Sequence, residues 1–480
     1  MSTISLSAQE LQQVRSQFPA LVAADTPDSA TSGYIFAENA GGSQVLSSVA
    51  ASISSYLLST NVQMSSYPLA QAAESRVSLG TCAAAALLGA DSPDDVMIGQ
   101  SATALVAAIA AMIEHRGVWG EGGEVVISDA DHETNRGAWS RLAQRLGMGI
   151  KHWPVTPISS KGSEYEVTLD PQTLHTLVTP QTKLVAFTAC SNLLGAFTDI
   201  KASVDIVRSI APDAIIAVDC VAYAPHRRIT PRAWGVDIAF FSVYKTYGAH
   251  VGAMYVSPRV QETHLARLNH FFLQPQAGAQ IKGMYPFQTS SVQYELNHSI
   301  AAVADYLVGL GLGKLEQGVK FDWNALFGRP ASTAEGQRVG MSLAQVDSAL
   351  DTAFAKIAAH ESTLLSSLIP SLLANRFHGV RIVGPESTDS NTRAPTVAFI
   401  LVDPATGKPK ADTSKKVHSA LVGGGQVGAQ QGHMYAHKLV QSLGLDLADG
   451  VVRLSFVHYN TADEVQRVVA LLERVLRSVL

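Results

Sequence analysis

The chain has 480 residues, 47% of them hydrophobic and 16% charged, with a formal net charge of −5. That balance describes a globular chain rather than a disordered one, and it leaves no basic footprint for nucleic acid. The N-terminus, MSTISLSAQELQQVRSQFP, lacks a basic stretch followed by an apolar core, and no apolar run reaches membrane-spanning length. A soluble, cytoplasmic protein is therefore expected, with no membrane partner. The length suits a large α/β unit with a smaller companion. Cys82, Cys190 and Cys220 have neither disulfide-framework nor metal-ligand spacing, so they are expected as small buried hydrophobes and no metal site is expected.

Residues 1–50 read as a segment that joins the smaller unit, and residues 51–310 as the large unit. Early in the latter, GQSATALVAAIAAM opens a long apolar helix at Ser101, Ala102 and Thr103. Backbone N–H groups and hydroxyls at a helix start suit a phosphate, and the same residues suit an ordinary cap. From about residue 92 to 255 strand-like and helix-like segments alternate: EVVISDA, RGAWSRLAQRLGM, KHWPV, PQTLHTLV, KLVAFTA, IKASVDIVRSI, AIIAVDC and VDIAFFSV. The alternation predicts a mainly parallel sheet with helices on both faces. Ligands bind such sheets at the carboxyl ends of the strands. Polar clusters fall there: Asp131-His132-Glu133, Ser191-Asn192, Asp219, and Ser242 to Lys245. Residues 311–345, rich in glycine and weakly periodic, read as an inserted loop. Residues 346–480 read as the smaller α/β unit, with strands near VRIV, TVAFILVD and VVRLSFVH.

Lys245 ends the apolar run VDIAFFSV, where a lysine ordinarily snorkels to water. Its chemical use appears once Asp219 is placed on a neighbouring strand end. A lysine amine whose pKa is lowered by desolvation forms a Schiff base with the aldehyde of pyridoxal phosphate. A buried carboxylate then keeps the pyridine nitrogen protonated, so that the ring accepts electrons from the substrate's Cα. Asp219 alone reads more often as a cap or turn former. His132 suits stacking on the ring face and reads equally as a surface histidine.

Six blocks in order then resemble the class V aminotransferases, in particular the cysteine desulfurase-like branch of fold type I pyridoxal phosphate enzymes. They are YIFAENAGGSQV, DADHETNRGAW, TACSNLLGAFTDI, VDCVAYAPH, SVYK and VVRLSFVHYNTADEV. The resemblance implies a large domain built on a seven-stranded, mainly parallel sheet plus a smaller α/β domain. It implies that Lys245 carries pyridoxal 5'-phosphate, Asp219 pairs with the ring nitrogen, His132 stacks on the ring and Asn192 reaches the phenolic oxygen. Ser101, Ala102, Thr103, Ser242, Tyr244 and His226 would complete the cofactor set. Ser291, in the segment QTSS, would reach the phosphate of a second copy in a homodimer. Arg453 would clamp the substrate's α-carboxylate as a bidentate fork, with Asn39, His433 and Tyr435 on the substrate side.

Departures from the family pattern narrow the expected chemistry. The loop that carries a nucleophilic cysteine in desulfurases corresponds to GAQQGHMYAHKL, where Tyr435 stands in place of the thiol. Ala222 and Tyr244 replace the usual glutamine and histidine. The pieces GQSATAL, VAYAPHR, SVYKTYGAHVG, LNHFF and VRLSFVHYNT are similar to the desulfurase-like decarboxylative aldolase branch known from ustiloxin biosynthesis. The expected activity is action on an amino acid through a Cα carbanion, quinonoid or enamine. It would make or break a carbon–carbon bond in specialised metabolism, with an aldehyde or iminium as electrophile. The alternatives are a cysteine desulfurase or carbon–sulfur lyase, a class V aminotransferase, and a non-catalytic scaffold, against which the intact Lys245, Asp219 and Arg453 argue.

Overall fold

A computed structural model describes residues 5–160, 162–268, 283–289, 291–330 and 337–479. In chain order the strands are β1 (Ile35–Phe36), β2 (Val96–Gly99), β3 (Glu124–Ser128), β4 (Gly149–Trp153), β5 (Thr156–Pro157), β6 (Val167–Thr168), β7 (Thr182–Thr188), β8 (Ile215–Asp219), β9 (Ile238–Ser242) and β10 (Gly252–Val256). The C-terminal part adds β11 (Val380–Val383), β12 (Thr396–Leu401), β13 (Val427–Gly428), β14 (Gln430–Gly432) and β15 (Val451–Ser455).

The main sheet has seven strands in the order β2-β10-β9-β8-β7-β3-β4, and β10 runs antiparallel to both of its neighbours. Alternation along each strand divides the side chains between two cores. Val185 and Phe187 of β7, with Ile216 and Val218 of β8, pack toward Cys82, Val204 and Val207. Leu184 and Ala186, with Ile215 and Ala217, pack toward Ile109, Ile113, Trp139 and Leu142. Covering both faces explains why these strands read as unbroken apolar runs. The expected mainly parallel, helix-sandwiched α/β fold is therefore present.

The smaller sheet runs β11-β12-β15-β14, and β1 pairs with β13 beside it. An isolated parallel bridge from Glu38 to Ser455 carries the N-terminal segment onto the end of β15. The segment read as an inserted loop is entered from both sides by helices, Tyr294–Leu312 and Leu343–Ala374, and holds the short helix Trp323–Leu326. Asp305 anchors it by accepting from the Trp323 indole at 2.8 Å and the Phe321 N–H at 3.0 Å. Burial pushes that carboxyl up to about 7. Residues 331–336 of the segment, and residues 269–272 of the LNHFF stretch, lie outside the described residues.

Helix Pro68–Leu87 lies against helix Tyr294–Leu312, and Gly80 permits the approach. A Cβ on Gly80 would overlap the Asn297 carbonyl, whose carbon would then lie 2.5 Å away. Gly80→Ala is expected to lose about 1–3 kcal/mol through overpacking, despite alanine's better helix propensity. Denaturant unfolding measures this, and an unchanged midpoint would mean that the two helices separate without cost.

Candidate active site

The carboxyl ends of β3, β7, β8 and β9 converge on one cleft. Asp219 closes β8, and Lys245 ends a single 3₁₀ turn, Val243–Lys245, directly after β9. Opposite them, helix Ala102–Arg116 begins: Ser101 Oγ accepts the Ala104 N–H at 3.1 Å and the Ser101 carbonyl accepts that of Leu105 at 3.0 Å. The N–H groups of Ala102 and Thr103 precede those bonds and point out of the helix start. Gly252 allows β10 to lie beneath that start, because a Cβ there would sit 2.6 Å from the Ser101 carbonyl carbon and 2.7 Å from the Ala102 nitrogen.

The ionisable groups are shaped mainly by burial. Lys245 is 7% exposed, and desolvation together with the charge of Arg453 pulls its amine down to about 8, against the opposing pull of Asp219 and Glu38. Burial pushes the Asp219 carboxyl up to about 6, although the Val221 N–H at 2.8 Å and Lys245 favour its ionised form. Asp131, fully buried behind it, is driven to about 7 by burial and then by the Asp219 charge. His132 is pushed down to about 4 by burial, then by Lys245 and Arg453. Its Nδ1 accepts the Thr134 N–H at 3.1 Å, which leaves the proton of the neutral ring on Nε2.

Two connected spaces open here. The inner one, about 520 Å³, is lined by Ser101, Ala102, Thr103, His132, Asn192, Asp219, Ser242, Tyr244 and Lys245, together with Thr134, Thr188 and Cys190. The outer one, about 960 Å³, is bounded by Glu38, Tyr244, Gln430, His433, Tyr435 and Arg453. Arg453, on β15, donates from Nη1 to the Asn192 carbonyl at 2.8 Å and from Nη2 to Glu38 Oε1 at 2.7 Å, while its buried Nε has no partner. The loop after β14 crosses the cleft mouth. Asn192 Nδ2 donates to the Met434 carbonyl at 2.8 Å, and the Glu133 N–H to the Tyr435 carbonyl at 2.9 Å. Met434 and Tyr435 both hold left-handed backbone, at φ 43° and 61°, which costs each non-glycine residue about 1–2 kcal/mol. Tyr435 lies beside His132, with ring centroids 5.2 Å apart.

Three of the expected residues do not line this cleft. Asn39 is consumed by structure: its Nδ2 donates to the Phe36 and Ser455 carbonyls and its Oδ1 accepts the Tyr459 hydroxyl. The preceding residue, Glu38, borders the outer space instead. His226 is turned away into a buried network, its Nδ1 donating to Glu361 Oε1 at 2.6 Å beside Arg227. Ser291 is exposed and borders a separate hollow with Gln100, Ala104 and Thr289, while Ser290 of the QTSS segment lies outside the described residues. Sequence reasoning also missed Thr134, whose hydroxyl is 2.8 Å from that of Thr103, and Gln430. A larger cavity of about 1,210 Å³ between helices Ser47–Ser59 and Tyr294–Leu312 lies apart from these groups.

The residues fit pyridoxal phosphate. A desolvated amine faces a carboxylate on the adjacent strand end, a glycine-cradled helix start suits the phosphate, and the buried Asn192 Oδ1 lacks a partner. Among the described residues no group of His, Cys, Asp and Glu is arranged to hold a metal ion. The family profile for aminotransferase class-V matches residues 35–270 and 338–468. The aminotransferase-like protein FGM3 of Gibberella zeae is 34% identical over 479 residues, covering 98% of this chain and 100% of that protein. The cysteine desulfurase-like protein ustD of Aspergillus flavus is 26% identical over 375 residues, 78% of this chain and 72% of its own. Among solved structures, the cysteine desulfurase CsdA of Escherichia coli shares the fold with a TM-score of 0.71 at 19% identity, covering 98% of this chain and 99% of that one. The chain belongs to the class V aminotransferase family and is a pyridoxal phosphate-dependent enzyme of the cysteine desulfurase-like, fold type I architecture.

Proposed function

We propose that the enzyme acts on an amino acid and makes or breaks a carbon–carbon bond, in a decarboxylative aldol or Mannich-type reaction of specialised metabolism. The observation that carries this reading is the lack of a usable thiol. The described loop over the cleft presents His433, Met434 and Tyr435. Cys82 is buried with its thiol pushed up to about 11, and burial pushes Cys190 and Cys220 higher still. Sulfur transfer needs a thiolate that reaches the substrate.

In this reading Arg453 takes the α-carboxylate on its fork. Lys245, with an amine near 8, moves a proton at Cα while a useful fraction of it is neutral. Asp219 would hold the ring nitrogen protonated, and the neutral His132 would stack on the ring. Pyridoxal phosphate, when bound, supplies the sink for the electron pair left at Cα. Ser242, Thr103 and the N–H groups of Ala102 and Thr103 would hold the phosphate. The 434–435 segment excludes water from the reacting centre, and the outer space takes the aldehyde or iminium. A homodimer belongs to the same proposal: Leu57, Leu58, Tyr67 and Leu69 are each exposed, Leu58 to 85%, and Ser291 is exposed as a residue reaching a second copy would be. No helix among the described residues is long and apolar enough to cross a membrane, and a cytoplasmic site of action completes the reading.

The direct test is incubation with L-aspartate and a panel of aldehydes and cyclic iminium ions, with products identified by mass. Carbon dioxide and a coupled α-amino acid are expected, γ-hydroxy from an aldehyde or γ-amino from an iminium. Sulfide from cysteine, or a keto acid matched to one amino acid, would replace this reading with a lyase or a transaminase.

Asp219→Asn is expected to keep the cofactor but to lower turnover by about 10²–10³, the scale of removing one key electrostatic group. Absorbance measures occupancy and single-turnover rates measure the loss; unchanged turnover would remove the assigned role. Arg453→Lys is expected to raise KM by about tenfold or more with the cofactor spectrum unaltered, because an ammonium cannot reproduce the planar fork. Loss of the cofactor spectrum would give Arg453 a different role. Replacing Cys82, Cys190 and Cys220 together by alanine is expected to leave turnover per bound cofactor largely intact, at a stability loss of about 1–3 kcal/mol. Cys190 lines the inner space and is tested singly as well. A persulfide trapped on any of the three during turnover with cysteine would restore sulfur transfer.

A further inference from the structure

Among the described residues Glu38 is the one carboxylate that borders the outer cleft, and it is seated there by construction. The backbone of Asn39 donates to the Ser455 carbonyl at 3.2 Å, tying the turn that carries Glu38 to the strand that carries Arg453. The chain then doubles back, with the Gly41 N–H donating to the Glu38 carbonyl at 3.1 Å. The Glu38 carboxylate folds over Gly41 so closely that a Cβ at that position would overlap both of its oxygens. From this seat Oε1 reaches Arg453 Nη2 at 2.7 Å. The Arg453 side chain is 3% exposed and that of Glu38 29%, so one partner is buried while the other faces the cleft.

The pairing bears on what the site accepts. An amino acid that delivers its α-carboxylate to Arg453 brings a second anion to a guanidinium already holding one, and like charges in a partly desolvated cleft repel. The buried Nε gives the newcomer an unused donor, so a two-point grip on Arg453 is available if Glu38 yields Nη2. Glu38, released, remains at the mouth of the outer space, where the other described Lys and Arg side chains lining it are Lys245 and Arg453. A carboxylate left in that position favours a positive charge on whatever occupies the outer space.

We propose that Glu38 is a specificity-determining residue: a resident carboxylate on Arg453 that the substrate's α-carboxylate displaces, and that then forms the anionic seat for a cationic electrophile. The inference rests on the reading of Arg453 as the carboxylate clamp, and it selects the iminium class of second reactant over the neutral aldehyde.

The test uses the cofactor-loaded enzyme and two equilibrium measurements. L-alanine is titrated against the cofactor absorbance, and N-methylpyridinium, a stable planar cation, is titrated by calorimetry into enzyme saturated with L-alanine. Glu38→Gln is expected to tighten L-alanine several-fold, since a neutral amide competes poorly for the guanidinium, and to weaken N-methylpyridinium by about tenfold, equivalent to 1.4 kcal/mol. Glu38→Asp, which keeps the charge on a shorter stem, is expected to hold the cation within about twofold of the parent. If Glu38→Gln weakens L-alanine, Glu38 is a prop for Arg453 and the proposal is overturned; if it leaves the cation's affinity unchanged, the anionic seat is overturned. Arg453→Lys separates the two layers. Unchanged L-alanine affinity in that variant removes the clamp itself, whatever Glu38 does.

Discussion

Arg453 is a buried cation on β15 that two remote stretches of chain satisfy together. Its guanidinium joins β15 to the Asn192 carbonyl at the end of the main sheet and to Glu38 in the N-terminal segment. A charge this far from water is tolerated only with hydrogen-bonded partners, so the two sheets and the N-terminal turn cannot drift apart without exposing it. Burial pulls its pKa down and Glu38 pulls it back. Burial, with the Arg453 charge added to it, lowers both Lys245 and His132, which keeps the histidine neutral and brings the amine into the range where it can exchange protons. Through its bond to the Asn192 carbonyl Arg453 also ties the smaller sheet to the main one.

A second buried network works in parallel on the far side of β8. Glu361, fully buried on helix Leu343–Ala374, accepts from His226 and from Arg227 at 2.9 Å. It fastens the long helix to the turn that follows Asp219. The cleft therefore lies between two cross-chain ties, and the 434–435 segment at its mouth is held through its carbonyls by Asn192 and Glu133.

How much of this was legible follows from the range of the interactions. Strands β7, β8 and β9 are covered on both faces, so each is an apolar run with a polar terminus, and Asp219 and Lys245 stand out at those termini without any partner being known. Val96–Gly99 and Val427–Gly428 escaped notice because two to four residues carry no periodicity; their pairing is decided by neighbours more than 150 positions away. Asn39 and Glu38 are adjacent, and nothing local says which faces the cleft; the bridge to Ser455 decides it. His226 follows the right strand end, yet Glu361, 135 residues later, captures it. Residues whose role depends on a single strand were readable, and residues whose role depends on a distant one were not.

The two halves of the cleft also occupy different stretches of the chain, and this imposes an order in time. Every group assigned to the cofactor lies between Ser101 and Lys245 apart from the exposed Ser291, whereas the clamp is completed only by Arg453, about 210 residues later. At a synthesis rate of about 5–20 residues per second, that separation amounts to roughly 10–40 seconds on the ribosome. The first six strands of the main sheet in sequence, β2 to β9 without the β5–β6 ribbon, together with the neighbouring β10, can pair before β15 emerges. On the proposed assignments, a nascent chain can thus meet its cofactor before it is able to hold a substrate.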